Sequence, residues 1–419
     1  MDHFVINGTV TLEGEVVTSG AKNSSVAILP AALMADTPVT VENLPHIDDI
    51  FTLIELIQYL GAEVKTNGSR SITIYPEKVH SWKAPYELVS KLRASYYFLG
   101  SLLTRFKRAV IPLPGGCPLG PRPIDQHIKG FQALGARVDI QHGFIQIEAE
   151  QLTGTQIYLD VVSVGATVNL MLAAVTARGK TVLENVAKEP EIVDIANFLN
   201  AMGADIVGAG TDEIKICGVK KLQGTAHMVI PDRIEAGTFI MAAASTNGNV
   251  LVKEVIPKHL ESVTAKLKEL GVDLEVGEDW IHVKGCSCPQ PINIKTFPYP
   301  GLPTDLQALF MPIMTRARGT SVITENVFEG RFKHVDELKR MGANIRVDGR
   351  SAIVEGGCGL TGAPVKATDL RAGAALIIAG LLAEGETAVS GIEHIDRGYE
   401  KIEEKFNRIG AGIKRVRQE

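Results

Sequence analysis

Cys117 stands in a loop whose composition suits the presentation of a thiol. The segment from 112 to 125 reads Pro-Leu-Pro-Gly-Gly-Cys-Pro-Leu-Gly-Pro-Arg-Pro-Ile-Asp, so glycines and prolines surround the cysteine and Arg122 follows it. Glycine and proline favour turns over helices and strands, which predicts an irregular loop. A cation near a thiol lowers the thiol pKa and makes the group more reactive. Two interpretations stay open on these residues alone: a chemically active thiol and an incidental buried cysteine.

Polar or charged residues recur where apolar helices are predicted to begin, together with one glycine. These residues are Lys22, Asn23, Arg93, Ser163, Gly165, Arg233, Asp305, Asp369 and Arg371. The first N–H groups of a helix lack partners and carry positive partial charge, so they attract phosphate and carboxylate groups. The helix starts therefore predict an anion-binding cleft, although Ser163, Asp305 and Asp369 taken singly also fit the role of helix caps or salt-bridge partners.

The elements that must position these residues repeat six times. Each repeat has a helix that ends in Leu/Met/Ile-Gly-Ala/Val and is followed by a short strand, and its glycine is Gly61, Gly135, Gly203, Gly271, Gly342 or Gly410. The spacings of 74, 68, 68, 71 and 68 residues indicate internal duplication. Glycine at this point predicts a left-handed helix cap that turns the chain into the strand.

Each repeat carries two helices of different character. The first is apolar nearly all round and is predicted at 24–35, 95–103, 166–177, 237–245, 306–314 and 372–383. The second is amphipathic, and its predicted solvent face carries Glu55, Gln58, Lys266, Lys268, Glu269, Glu337, Lys339, Arg340, Glu403, Glu404 and Lys405. A helix that is apolar all round must be buried on every side, so sheets should enclose these helices.

The predicted fold class is α/β, with two inside-out α/β barrel domains that each contain three β-β-α-β-α-β units. We expect one domain at 22–229, with the cysteine loop at 112–125, and a second domain formed by 1–21 and 230–419. The N-terminal strands resemble those that lead into later repeats, which is why they are assigned to the second domain. The active site is expected in the cleft between the domains.

The cysteine loop is an insertion in this repeat pattern. Gly135 lies 23 residues after Pro112, whereas the corresponding separations in the first and third repeats, from 43 to 61 and from 185 to 203, are each 18 residues. Insertions in regular repeats are commonly functional loops or lids. This placement favours the chemically active thiol.

Composition and charge exclude several classes of function. The 419 residues are 45% apolar and 22% charged with a net charge of −5, which argues against nucleic acid as the main partner. The N-terminus lacks the features of a secretion signal and no apolar run reaches membrane-spanning length, so we expect a cytoplasmic protein without a membrane role. Five cysteines without a second Cys-x-Cys pair predict neither a disulfide framework nor a metal site.

Several short motifs accompany the cysteine loop with Arg122-Pro-Ile-Asp125: Ser19-Gly-Ala-Lys22-Asn23, Leu92-Arg93-Ala-Ser95, Val162-Ser163-Val-Gly165-Ala-Thr167, Pro231-Asp-Arg233-Ile-Glu, Pro303-Thr-Asp305, Ala367-Thr-Asp369-Leu-Arg371 and His394-Ile-Asp-Arg397-Gly-Tyr399. In these motifs the chain resembles the UDP-N-acetylglucosamine enolpyruvyltransferase family, also called UDP-N-acetylglucosamine 1-carboxyvinyltransferases, over nearly its whole length.

The resemblance implies transfer of enolpyruvyl from phosphoenolpyruvate to the 3'-hydroxyl of UDP-N-acetylglucosamine with release of phosphate, the first committed step of peptidoglycan synthesis. Carbon 3 of the enol is protonated while the sugar oxygen attacks carbon 2, so the reaction needs an acid and a base. By resemblance Cys117 is the acid and the thiol that fosfomycin modifies covalently, and Asp305 is the base. No cofactor or metal is implied.

The resemblance also assigns the binding residues. The catalytic set is Cys117, Asp305, Lys22 and Arg397. The phosphoenolpyruvate set is Lys22, Asn23, Arg122, Arg331, Arg371 and Arg397. The UDP-N-acetylglucosamine set is Asn23, Arg93, Arg122, Pro123, Ile124, Asp125, Gln126, Ser163, Val164, Gly165, Asp305 and Val327. Arg233 and Asp369 are further residues of the predicted cleft.

Two other functions remain alternatives on the sequence. The first is enolpyruvyl transfer to shikimate 3-phosphate on the same fold, against which the cysteine loop argues because that family lacks it. The second is a non-catalytic repeat scaffold that binds an anionic ligand, which fold alone does not exclude.

Overall fold

The structure, a computed structural model, describes residues 2–113 and 123–417. Cys117 and Arg122 lie outside the described residues, as does the side chain of Arg93. The predictions for these groups are therefore sequence predictions only.

The described ranges contain fourteen α-helices. They are α1 (Lys22–Ala32), α2 (Asp48–Tyr59), α3 (Tyr86–Val89), α4 (Tyr97–Phe106), α5 (Asp125–Ala133), α6 (Val164–Ala174), α7 (Pro190–Ala201), α8 (Arg233–Ser245), α9 (Glu261–Glu269), α10 (Thr304–Arg316), α11 (Val335–Arg340), α12 (Leu370–Leu382), α13 (Glu393–Asp396) and α14 (Ile402–Arg408). Short 3₁₀ helices cover Pro76–Lys78, Arg93–Tyr96 and Pro257–Leu260.

The same ranges contain twenty-three strands. They are β1 (His3–Asn7), β2 (Glu13–Val17), β3 (Val39–Glu42), β4 (Glu63–Thr66), β5 (Ser71–Tyr75), β6 (Arg108–Pro112), β7 (Arg137–Gln141), β8 (Phe144–Glu148), β9 (Gln156–Tyr158), β10 (Lys180–Glu184), β11 (Asp205–Val207), β12 (Glu213–Cys217), β13 (Ala226–Met228), β14 (Asn249–Lys253), β15 (Asp273–Val276), β16 (Trp280–Lys284), β17 (Asn293–Lys295), β18 (Thr320–Thr324), β19 (Asn344–Asp348), β20 (Ser351–Glu355), β21 (Pro364–Lys366), β22 (Glu386–Ser390) and β23 (Lys414–Val416).

These strands form six small mixed sheets of one design. Within the described residues the strand orders are β13-β3-β5-β4, β6-β8-β7, β11-β12-β10-β9, β15-β16-β14-β2, β17-β18-β20-β19 and β21-β22-β1-β23. Every four-stranded sheet has one parallel pair, such as β9 with β10, and two antiparallel pairs, such as β10 with β12 and β12 with β11. The three-stranded sheet carries an isolated parallel bridge, Lys83 to Val110, in place of the parallel pair.

The strands of one sheet follow the chain order β-α-β-α-β-β, as in β9-α6-β10-α7-β11-β12. Two strands precede α6, α8, α10 and α12, as predicted, but the first of each two belongs to the preceding sheet. Before α4 the second strand is reduced to the isolated bridge at Lys83. The N-terminal strands complete sheets from the far end of the sequence, because β1 lies between β22 and β23 and β2 pairs in parallel with β14.

The chain divides into two compact units with separate cores. Among the described residues, one unit runs from Gly20 to Ile230, and the other combines the chain up to Ser19 with the chain from Pro231 onwards. Three of the six sheets belong to each unit.

The apolar helices fill these cores, as the sequence predicted. In the first unit α4 packs against α1 and α6, and in the second α8, α10 and α12 pack against one another. Every residue of α6 from Gly165 to Ala174 is buried. Burial on all sides removes the need for a polar face, which explains why these helices lack one.

The six repeat glycines adopt the predicted left-handed conformation. Gly61, Gly135, Gly203, Gly271, Gly342 and Gly410 have φ angles of 108°, 93°, 101°, 90°, 93° and 94°. A side chain at these angles would be strained, so glycine is the residue that lets each outer helix turn into its strand.

In the described part of the chain, no helix is both long and apolar enough to cross a membrane.

Candidate functional site

The first core helix begins with a buried ion pair. Lys22 is the first residue of α1, and its Nζ lies 2.6 Å from Oδ2 of Asp49 in the first turn of α2. Their side chains are 14% and 7% exposed. A carboxylate so placed holds the ammonium group in one position, and the N-terminal dipole of α2 stabilises the carboxylate in turn. Asn23 follows on the same helix turn.

The segment that follows the cysteine loop is tied to the start of α6. Gln126, in the first turn of α5, donates to Oδ2 of Asp125 at 2.7 Å and to Oδ2 of Asp160 at 3.1 Å. The backbone N–H of Asp160 returns a bond of 2.9 Å to Oε1 of Gln126. Asp160 stands three residues before Ser163, so the structure brings together two of the motifs predicted to bind the nucleotide sugar. Pro123 and Ile124 lead into α5.

Ser163 is a helix cap in this structure. Its Oγ accepts the backbone N–H of Ala166 at 3.3 Å at the start of α6, which bears out the alternative interpretation for this residue. Val164 and Gly165 form the first turn, and a side chain at Gly165 would come within 2.8 Å of the Tyr96 hydroxyl. The close approach of backbone and tyrosine therefore requires glycine.

A buried amide supports this region from behind. Asn169 in α6 donates from Nδ2 to the carbonyl of Tyr96 at 3.1 Å and bonds to Nδ1 of His127 at 3.0 Å, while its Oδ1 accepts the N–H of Gly100 at 2.9 Å. Burial lowers the pKa of His127 to about 4, so this imidazole is neutral and its Nδ1 can accept. One side chain thus joins α4, α5 and α6 beside the predicted sugar-binding motifs.

In the other unit, one carboxylate lies between two guanidinium groups. Asp305, in the first turn of α10, binds Nη2 of Arg331 through Oδ1 and Nη2 of Arg371 through Oδ2, the latter at 3.1 Å. Both arginines are buried, and the Asp305 side chain is 25% exposed. Two positive charges against one negative charge leave the cluster able to bind an anion such as a carboxylate or phosphate.

Arg371 is held charged and in place by its surroundings. Burial alone would lower its pKa, but Tyr399, Asp305 and Asp232 raise it above the ordinary arginine value. Its backbone N–H donates to Oδ1 of Asp369 at 2.9 Å, and the same oxygen caps the N–H of Ala372 at 3.0 Å. Asp369 is therefore a cap of α12, again as the alternative interpretation had it.

The remaining predicted residues of this unit occupy separate elements. Val327 lies in a turn folded around Glu325, whose Oε1 accepts the N–H groups of Val327 at 2.8 Å and Phe328 at 3.0 Å. Arg397 directly follows α13. Arg233 begins α8, with its guanidinium 5.8 Å from the centroid of the Tyr299 ring.

One predicted surface residue proves to be buried. Lys405 of α14 was expected on the solvent face, but its Nζ lies 2.6 Å from Oε1 of Glu235 and 2.6 Å from Oγ of Ser19. The prediction was wrong because the amphipathic pattern of α14 does not reveal that a buried carboxylate of α8 meets this position.

The chain is similar to known proteins over nearly its whole length. Residues 6–406 match the model of the family described as EPSP synthase (3-phosphoshikimate 1-carboxyvinyltransferase). The chain is 59% identical over 418 residues to UDP-N-acetylglucosamine 1-carboxyvinyltransferase 3 of Caldanaerobacter subterraneus subsp. tengcongensis, covering 100% of both chains. The chain belongs to the UDP-N-acetylglucosamine 1-carboxyvinyltransferase family.

Further relatives agree with this membership. UDP-N-acetylglucosamine 1-carboxyvinyltransferase 2 of Geobacillus kaustophilus is 58% identical over 413 residues, which cover 99% of this chain and 96% of that protein. A UDP-N-acetylglucosamine 1-carboxyvinyltransferase of Clostridium botulinum is 56% identical over 417 residues, covering 99% of this chain and 100% of that protein. The family resemblance predicted from the motifs is thereby confirmed.

Solved structures identify the fold as the mixed α/β enolpyruvyl transferase fold. The enolpyruvyl transferase NikO from Streptomyces tendae superimposes with a TM-score of 0.91 at 26% identity, covering 100% of this chain and 99% of that chain. EPSP synthase from Acinetobacter baumannii superimposes with a TM-score of 0.77 at 23% identity over 100% of both chains, a likeness of fold alone.

Within this family member, sequence reasoning missed several supporting residues. Asp49, Asn169 and Glu325 each bond to a predicted site residue or to its immediate neighbour. An asparagine inside an all-apolar helix was a signal for Asn169, because a polar residue there needs buried partners. Asp49 gave no comparable signal, since an acidic residue in a first helical turn already has a reason to be there.

Among the described residues, no three or more His, Cys, Asp or Glu side chains are grouped so as to hold a metal ion.

Proposed function

We propose that this protein transfers the enolpyruvyl group of phosphoenolpyruvate to the 3'-hydroxyl of UDP-N-acetylglucosamine and releases phosphate, the first committed step of peptidoglycan synthesis. The observation that carries the proposal is identity of 55–59% to UDP-N-acetylglucosamine 1-carboxyvinyltransferases over 99–100% of this chain. The cation-rich cluster around Asp305 supports it, since the donor substrate carries a carboxylate and a phosphate.

The reaction proceeds by addition and elimination. In the addition, Cys117 donates its proton to carbon 3 of the enol, the oxygen of the sugar hydroxyl bonds to carbon 2, and Asp305 takes the hydroxyl proton. In the elimination, the Cys117 thiolate takes a proton back from carbon 3, the bond from carbon 2 to the phosphate oxygen breaks, the double bond forms again, and the proton on Asp305 leaves with the released phosphate. Atoms and charges balance without any redox partner.

The cluster at Asp305 supports a specific role for the donor's carboxylate. In the structure, Arg331 and Arg371 bind the two oxygens of Asp305. A substrate carboxylate that binds these arginines replaces Asp305 as their partner, which leaves an Asp305 oxygen able to accept the sugar's proton. Arg331 and Arg371 bind the carboxylate in this scheme, and Lys22, Arg122 and Arg397 bind the phosphate.

The other predicted site residues complete the proposal. The nucleotide sugar is bound by Asn23, Arg93, 123–126, 163–165, Asp305 and Val327, and fosfomycin reacts with Cys117.

The proposal also covers the domains. Each domain is an inside-out α/β barrel of three units, with the boundaries 22–229 and 1–21 plus 230–419. The enclosure of apolar helices by three sheets in each compact unit supports this view. We place the protein in the cytoplasm as part of the same proposal.

The deciding experiment measures phosphate release from the purified protein. We expect release only when phosphoenolpyruvate and UDP-N-acetylglucosamine are both present. Release with shikimate 3-phosphate in place of the nucleotide sugar would assign the sister activity. No release with either acceptor would instead favour the binding scaffold.

A second arm of the same assay tests the thiol. Cys117→Ala should abolish turnover and protect against fosfomycin, whereas Cys217→Ala and Cys358→Ala, which remove two other free cysteines, should not. Equal losses in all three variants would make Cys117 an incidental cysteine.

A further inference from the structure

Tyr399 is a buried tyrosine that contacts two core helices of its unit. It is 2% exposed. Its phenol oxygen lies 2.8 Å from Oγ1 of Thr238 in α8, and its ring centroid lies 5.3 Å from the guanidinium carbon of Arg371 in α12. The residue therefore links α8 to the arginine that binds Asp305.

The direction of the Tyr399 hydrogen bond follows from proton counting. Oγ1 of Thr238 also lies 2.8 Å from the carbonyl oxygen of Ile234, one turn earlier in α8. A carbonyl can only accept, and a hydroxyl has a single proton. The Thr238 proton therefore goes to Ile234, and Tyr399 must be the donor to Thr238.

This direction leaves the lone pairs of the Tyr399 oxygen to accept from Arg371. Burial raises the pKa of the Tyr399 hydroxyl, so the group keeps the proton it donates to Thr238. The Arg371 guanidinium is the cation beside this phenol, with its carbon 5.3 Å from the ring centroid, and Tyr399 is among the groups that raise the pKa of Arg371. The result is a directed chain from Arg371 through Tyr399 and Thr238 to a fixed backbone carbonyl, in which each bond polarises the next.

The Arg371 guanidinium also contacts Asp305, the proposed base. Nη2 of Arg371 donates to Oδ2 of Asp305 at 3.1 Å. An arginine side chain has several rotatable bonds, so its planar head needs a second anchor to stay in one orientation. Tyr399 supplies that anchor from the interior of the unit.

We propose that Tyr399 is a positioning residue for the transfer reaction, whose hydroxyl orients Arg371 towards Asp305 and the donor's carboxylate. The proposal rests on the proposed function, in which Arg371 binds the carboxylate of phosphoenolpyruvate. Tyr399 touches no substrate in this scheme and acts through Arg371 alone.

The test is the full-length Tyr399→Phe variant, which keeps the ring and removes the hydroxyl. Phosphate release is measured with each substrate varied in turn. Because the lost bond reaches a charged group, KM for phosphoenolpyruvate should rise about tenfold. KM for UDP-N-acetylglucosamine should change less than about twofold, because Asp305 is the one residue of the nucleotide-sugar set that contacts Arg371, and its other oxygen is still bound by Arg331.

Thr238→Val gives an independent variant with a matched control. It removes the acceptor of the Tyr399 proton, so KM for phosphoenolpyruvate should rise by a smaller factor. Thr315→Val removes a similar buried threonine bond in α10, from Oγ1 to the carbonyl of Pro312 at 2.7 Å, and should leave this KM unchanged. The Tyr399→Phe/Thr238→Val double variant should be no worse than Tyr399→Phe, because both changes break one chain.

Several results would overturn the proposal. An unchanged KM for phosphoenolpyruvate in folded Tyr399→Phe, or an equal rise of both KM values, would reduce Tyr399 to a packing residue. Should Tyr399→Phe fail to fold, equal KM values in Thr238→Val and Thr315→Val would overturn it as well. Failure of the proposed function itself is distinguishable, because the wild-type protein would then show no release dependent on both substrates.

Discussion

Asp305 is the residue whose surroundings bear most directly on the chemistry. Its two oxygens bind different arginines, Arg331 and Arg371, so the plane of the carboxylate is determined from both sides. Three ionised groups with a net charge of +1 fit a substrate that brings a further negative charge. In the proposed mechanism, Asp305 binds the two arginines until the substrate's carboxylate replaces it, and it then acts as the base.

We predict that Asp305→Asn removes turnover and keeps the binding of phosphoenolpyruvate. The amide has nearly the same shape but cannot take the hydroxyl proton, so kcat should fall by a factor of about 100 or more. KM for phosphoenolpyruvate should stay the same or fall, since the arginines lose a competing carboxylate. The measurement is steady-state phosphate release.

The matched control is Asp336→Asn in α11 of the same unit, whose side chain is 85% exposed. It should behave as the wild type. A kcat for Asp305→Asn within a factor of about three of the wild type would remove Asp305 from the role of base.

The elements owe their relative positions to a few buried polar groups as well as to apolar packing. Asn169 satisfies groups on α4 and α5 from its place on α6, and each of these contacts lies in the interior of the unit. A buried N–H or carbonyl without a partner costs about 1–3 kcal/mol. The Asn169 amide therefore contributes more to the free energy of unfolding than its size suggests.

We predict that Asn169→Ala lowers the free energy of unfolding by about 3 kcal/mol or more. The change leaves the N–H of Gly100 and the carbonyl of Tyr96 without this partner, and it opens a cavity. Urea titration monitored by circular dichroism measures the loss.

Asn200→Ala is the control, because Asn200 of α7 makes two bonds to Ile206, each of 2.9 Å, but lies at the surface. Water can replace those bonds, so the cost should be about 1 kcal/mol. An equal loss of unfolding free energy in the two variants would show that the bonds from Asn169 to α4 and α5 stabilise the unit no more than those of a surface residue.

The molecule as a whole depends on contacts between the two ends of the sequence. Besides β1 and β2, the buried Lys405 connects α14 to Ser19 and to Glu235 of α8. The backbone N–H of Ser19 also donates to Oε2 of Glu235 at 2.6 Å. The N-terminal segment is therefore held by a charged pair in the interior of its unit.

We predict that breaking this pair costs more than removing it. Lys405→Met leaves the Glu235 carboxylate buried without its cation and should lower stability by about 3–5 kcal/mol. Lys405→Met/Glu235→Leu removes both charges and should cost less than the single change, and the exposed Lys339→Met serves as control. Thermal unfolding measures the stability of the three variants. A double variant less stable than Lys405→Met would contradict the prediction.

Acid should destabilise both units through buried histidines. Burial lowers the pKa of His127 in one unit and of His334 in the other to about 4. The unfolded chain, with a histidine pKa of about 6.5, binds more protons than the folded chain between these values. The stability each histidine supports is thus present above pH 6.5 and is lost as the pH falls towards 4, by about 3 kcal/mol each.

Urea unfolding at pH 7 and pH 4.5 checks this prediction. His127→Gln and His334→Gln should each lose less stability on acidification than the wild type, because glutamine does not titrate. The same loss in the wild type and both variants would assign acid sensitivity to other groups.

The sequence by itself determined the features that depend on local pattern. The six repeats, the burial of helices such as α6 and α12 along nearly their whole length, and the left-handed glycines follow from apolar periodicity and backbone sterics. Family membership followed from short sequence motifs. Helix ends were less certain, and α4 begins at Tyr97 rather than 95 because a 3₁₀ turn from Arg93 to Tyr96 precedes it.

Only the tertiary structure decided which polar groups meet. Lys405 resembles any solvent-facing lysine in the sequence, yet it lies buried against Glu235, 170 residues away. The sequence likewise gives no sign that Lys22 meets Asp49, or that Arg371 meets both Asp305 and Tyr399. Charge and hydrogen-bond partners are set by which segments fold together, and the type of a residue carries no information about the position of its partner.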